Sequence, residues 1–127
     1  MKEQTEALLA TCTVFNQNRG RNLATQVSVA GTSRARRRGL LGKEWIEPEG
    51  GLWIAPCEAV HTFGMKTIID VIFLDRHYRV SKLVKGLLPR RITMCWKAAS
   101  VLELAGGNIA RSETRVGDQI QFQHSNE

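Results

Sequence analysis

The order of short apolar runs and turn residues predicts a mainly β protein, a single small jelly-roll-like β-sandwich or barrel with one or two short helices. Three observations carry this reading. Seven or so strand-like runs follow one another at hairpin-like spacing. Val, Ile and Thr, which favour the pleated conformation, are concentrated in them. Only two brief segments have the capping and spacing of a helix.

Taken in order, residues 14–18 and 23–30 are two runs around the turn Arg19-Gly20-Arg21. Gly31 ends the second, and Thr32 or Ser33 is placed to cap a short helix with Ala35, Leu40 and Leu41 on its apolar side. The loop Glu47-Pro48-Glu49-Gly50-Gly51 leads into 52–55, which stops at Pro56. Residues 68–74 make the clearest strand: Ile69, Val71 and Phe73 share one face, and Ile68, Asp70, Ile72 and Leu74 the other. The turn Asp75-Arg76-His77-Tyr78 opens 79–88, and 101–104 and 119–123 complete the set. A helical turn is expected within 108–115 and a tight turn at Gly117-Asp118.

With 127 residues, the chain has the length of one domain, expected over 1–127 with 1–10 and 124–127 frayed. Its 43% hydrophobic and 24% charged residues exclude an intrinsically disordered chain. Eleven glycines and three prolines exclude collagen-like repeats. No apolar run approaches the ~20 residues of a membrane span. The opening residues lack the order of a signal peptide, so a cytoplasmic location is expected. Cys12, Cys57 and Cys95 are odd in number and irregular in spacing, and are expected to be free thiols.

The net charge of +6 is uneven, with Arg34, Arg36, Arg37, Arg38 and Lys43 close together. No aromatic residue is interleaved to stack bases, so these side chains are expected to form the wet face of the short helix, with no specific nucleic-acid binding. Phosphate-loop and dinucleotide motifs are missing, and no cofactor is implied.

The chemistry-bearing stretch is 56–70, PCEAVHTFGMKTIID. Loops carrying such a mixture on a rigid β scaffold are where sites lie. The candidate pocket is therefore Cys57, His61, Thr62, Phe63, Met65 and Asp70, taking a small ligand or a protein segment. Asp70 stands on an apolar strand, where an acid needs donors, and Thr62 and the backbone after His61 are nearest in sequence. Three alternatives stand beside the binding module. Cys57, His61 and Asp70 are a possible nucleophile, base and orienting acid of a hydrolase-like enzyme. Cys57, His61, Cys95 and Asp70 are the right types to bind zinc, without diagnostic spacing, so no metal is assigned. The third is a structural or assembly partner, which an exposed apolar patch would favour.

The run GLWIAPCEAVHTFGMKTIIDVIFLD, then VLELAGG and a Gly-Asp before the last strand, resembles the domain of unknown function 192 family over roughly 23–122. The upstream stretch AGTSRARRRGLLGKEWI is similar to that family's short helix and Gly-Leu-Leu turn. The resemblance implies a jelly-roll-like sandwich and no particular activity. The matching positions are Gly51, Pro56, Cys57, His61, Phe63, Met65, Asp70, Phe73, Glu103, Gly117 and Asp118.

Overall fold

The computed structural model describes residues 11–30, 39–40 and 42–124. The arginine cluster 34–38 and most of the expected first helix lie outside them, as do 1–10 and 125–127. In chain order the elements are β1 (Thr11–Asn16), β2 (Arg21–Ala30), β3 (Gly50–Ile54), β4 (Ala59–His61), β5 (Ile69–Leu74), β6 (Val80–Leu87), β7 (Ile92–Met94), β8 (Ser100–Ala105), α1 (Asn108–Ser112) and β9 (Ile120–His124). The protein is mainly β, as its sequence predicts. Two elements were not foreseen: the three-residue strands β4 and β7. His124, expected to fray, ends β9 opposite Cys12.

Seven strands form one sheet in the order β6-β5-β8-β3-β2-β1-β9, while β4 and β7 pair separately as a ribbon. Within the large sheet, β2 and β3 are parallel and every other neighbouring pair is antiparallel. The sheet curls until its two edges meet at one end, through a bridge between Arg79 and Gln119. Val80 N–H donates to Asp118 O at 2.9 Å and Ile120 N–H to Tyr78 O at 2.9 Å across this seam. The result is a half-barrel.

Strand alternation divides the apolar residues between two cores. Inside the curl lie Val14, Leu23, Val27, Ile72, Leu74, Leu102, Leu104 and Ile120, with Ile109 of α1 packed among them. On the opposite face of β5 and β8, Val60 of the ribbon, Leu40 and Met65 pack over Ile69, Val71, Phe73, Leu87 and Val101. Central strands covered on both faces have no wet side, which is why all six residues of β5 and of β8 are buried. Gly51 is required by this packing: a Cβ there would fall 2.5 Å from Leu104 Cδ2 and 2.7 Å from Glu103 O.

The seam is held by polar groups. Asp118 accepts from Arg19 Nε at 2.9 Å and Nη2 at 3.0 Å, from Asn16 Nδ2 at 3.0 Å, and from Arg115 N–H at 2.9 Å. Burial alone would raise its pKa, but the bonds from Arg19, Asn16 and Arg115 outweigh that and hold it at about 2.

Candidate functional site

The six candidate residues are divided among three environments. Asp70 belongs to the first. Its Oδ1 accepts the Gly86 N–H at 2.9 Å and its Oδ2 the Ile109 N–H at 2.8 Å. The donors expected from sequence, Thr62 and the backbone after His61, are thereby corrected: Asp70 ties β5 to a bend in β6 and to the first turn of α1. Gly86 can make that bend because it adopts φ +64°.

Cys57, Thr62 and Met65 make up the second environment, beneath the ribbon. Thr62 is buried, donating its hydroxyl to Leu88 O at 2.7 Å and accepting the Arg91 N–H at 2.8 Å, which fixes the ribbon's end to the 88–91 loop. Met65 fills the second core. Cys57 packs against the same core, and its thiol donates to Ala59 O at 3.2 Å. Burial pushes that thiol up, and the nearby Glu103 and Glu58 carboxylates push it the same way. A thiol held protonated is a poor nucleophile.

His61 and Phe63 form the third environment, exposed on the outer side with ring centroids 6.0 Å apart. Asp70 is thus engaged by backbone amides while Cys57 turns to Ala59, and no hydrogen bond joins Cys57, His61 and Asp70 among the described residues. Nor do three His, Cys, Asp or Glu residues gather to hold a metal among them. The triad and zinc alternatives therefore have no geometric support.

The outer side of the ribbon is the unusual surface. Ala59 faces Met94 and His61 faces Ile92 across the two strands, while Val60 and Thr93 point inward. Ile92 is 68% exposed, Met94 57%, Phe63 50% and Trp96, just beyond β7, 79%. Cations flank them. Lys82 Nζ donates to Met94 O at 2.9 Å, Lys97 Nζ lies 5.4 Å from the Trp96 ring centroid, and the backbone amides of Arg90 and Arg91 both bond Thr62. Contiguous exposed apolar side chains with a polar rim mark contact surfaces rather than solvated ones.

Two further features go beyond the reading of the sequence, one of them at a position matched there only through the family resemblance. A cleft of about 560 Å³ is lined by Trp45, Ile46, Ile68, Gly106, Gly107 and Arg111, among others. It touches the 56–70 stretch through Thr67 and Ile68 alone, and none of the six candidates lines it. The other is Glu103, buried on β8 between Leu52 of β3 and Val71 of β5. Burial raises its carboxyl to about 7, against the lowering effect of the Leu40 N–H that bonds Oε1 at 3.2 Å. Its signal was legible: an acid in the apolar run VLELA poses the same desolvation problem as Asp70.

No curated protein matches the chain. Two solved structures share its fold. A protein of unknown function from Novosphingobium aromaticivorans DSM 12444 superposes with a TM-score of 0.75 at 23% identity, over 87% of this chain and 83% of that one. A protein from Sinorhizobium meliloti 1021, provisionally described as a transcription regulator, gives 0.77 at 19% identity, over 89% of this chain and 92% of that one. Likeness at such identities establishes the fold alone. No helix among the described residues is long and apolar enough to cross a membrane. The sequence profile of DUF192, described as an uncharacterized ACR, matches residues 14–122, nearly the whole described β structure, and the chain belongs to that family.

Proposed function

We propose that this chain is a binding module, not an enzyme, and that its contact surface is the outer face of the β4–β7 ribbon. The observation that carries the reading is the set Phe63, Ile92, Met94 and Trp96, each exposed by half or more on the ribbon or just beyond its strands. Large apolar groups kept in water contribute little to the fold that carries them, and contact with another surface gives them a role. The Cys57 thiol bonded to Ala59 O and the backbone-engaged Asp70 support a non-catalytic reading of 56–70. Three free cysteines are compatible with a reducing, cytoplasmic location.

The test is photo-crosslinking in the native cell. A photoreactive residue is placed at Met94 and, as a control, at the exposed Gln121 of β9. A discrete adduct formed from position 94 and absent from position 121 is expected. Equal labelling from both positions, or neither a protein nor a lipid adduct from 94, would overturn the reading.

A second reading places a small ligand in the cleft beside Trp45 and Ile68, whose volume suits a small molecule. Thermal-shift screening of wild type and Trp45→Ala with small aromatic compounds tests it. Stabilisation of wild type that the variant loses is the expected result, and no stabilised hit removes the reading.

A further inference from the structure

We infer that the surface docked by the β4–β7 face is an anionic lipid surface, an inference that rests on the binding-module reading and specifies its partner. Two properties of the face select this occupant. The first is relief. Ile92 and Met94 on the ribbon, with Phe63 and Trp96 just beyond its strands, are 50% to 79% exposed and do not line a groove. A folded partner would need a matching hollow for each. A bilayer deforms around them and accepts Trp, Phe, Ile and Met at the level of its headgroups.

The second property is charge. Lys82 is anchored on the Met94 carbonyl and Lys97 lies over Trp96, while Arg90 and Arg91 are exposed in the loop that enters β7, the Arg91 guanidinium donating to Pro89 O and Arg90 O. Glu58, whose carbonyl takes the Cys95 N–H, is the acid flanking β4 in sequence. A second copy docking face to face would set these cationic rims against each other. Anionic headgroups instead meet Lys82, Lys97 and the 90–91 loop beside the exposed apolar side chains, so that hydrophobic insertion and headgroup attraction reinforce one another.

The experiment is co-sedimentation of the full chain with vesicles of phosphatidylcholine alone and of phosphatidylcholine mixed with phosphatidylglycerol. Variants Ile92→Thr/Trp96→Ser and Arg91→Glu/Lys97→Glu are run beside wild type, each first shown to keep the wild-type melting temperature. Wild type should bind the mixed vesicles and not the neutral ones. Each variant should lose at least tenfold in affinity, and wild-type binding should weaken as salt is raised above about 150 mM. Absence of binding to the mixed vesicles, equal binding to neutral ones, or binding untouched by both variants would overturn the lipid assignment. The Met94 crosslink separates this failure from that of the binding-module reading. A protein adduct from Met94 together with negative vesicles overturns the lipid and keeps the face, whereas no adduct and no vesicle binding overturns both.

Discussion

The two carboxylates Asp118 and Glu103 are both buried, yet burial leaves them in opposite states. Asp118, at the seam where the sheet closes, receives Arg19, Asn16 and the Arg115 amide and is held ionised to about pH 2. Glu103, under the ribbon, sits between apolar neighbours with the Leu40 amide on one oxygen, and its carboxyl rises to about 7. Desolvation raises both carboxyls; at Asp118 the Arg19 guanidinium with Asn16 and the Arg115 amide reverses it, and at Glu103 the single Leu40 amide does not. The seam side of the molecule is polar and fully tied. The ribbon side is apolar through its thickness, from Glu103's neighbours out to Ile92 and Trp96 on the surface. One side closes the fold; the other leaves Ile92 and Trp96 exposed.

Breaking the polar ties should have the largest effect. Asp70→Ala removes the acceptor of two amides, those of Gly86 and Ile109, and should cost about 3 kcal/mol or more in denaturant unfolding. Asp70→Asn retains an acceptor oxygen and should cost less. Stability of the alanine variant within about 0.5 kcal/mol of wild type would contradict the tie.

The contrast between the carboxylates predicts opposite pH dependences. Glu103 has a folded pKa of about 7, above its ordinary value of 4.5, so the folded state binds more protons between these values. Its contribution to stability is therefore present at low pH and is lost as pH rises from about 4.5 through 7, by up to about 3 kcal/mol. Asp118 behaves in the reverse sense: its contribution is present above about pH 4 and is lost as pH falls through about 2. Glu103→Gln should remove the loss between about pH 5 and 7 without touching the acid limb. Unchanged pH profiles in that variant would show that Glu103 does not titrate there.

A smaller effect is expected at Ser100, whose buried hydroxyl has no hydrogen-bond partner among the described residues, as is also true of Trp53 Nε1. Replacing an unpaired buried polar group with an apolar one of similar shape is near neutral or stabilising. Ser100→Ala should leave the melting temperature unchanged or slightly raised, and a marked fall would point to a bridging water.

Much of the half-barrel was legible because β5 carries its faces in its alternation, Ile69-Val71-Phe73 against Ile72-Leu74. The ribbon was not legible, for a physical reason. Three-residue strands show no period, and here the usual pattern is inverted, with Thr93 inside and Ile92 and Met94 outside. Asp70 was rightly read as an acid in need of donors, but its donors lie 16 and 39 residues away, brought there by the β6 bend and α1. Proximity along the chain was the wrong guide. The candidate set shared one loop without sharing one pocket, because successive residues of an extended chain point to opposite sides. Hence Thr62 faces inward while His61 and Phe63 face out.

The claim that the ribbon's outer side chains serve contact and not the fold is tested most directly by the unfolding free energy of Ile92→Thr/Trp96→Ser beside wild type. These side chains are 68% and 79% exposed, so their loss should change stability by no more than about 1 kcal/mol. A loss of about 3 kcal/mol or more, the size seen when buried apolar groups are removed, would mean that they hold the domain together and that the face is structural.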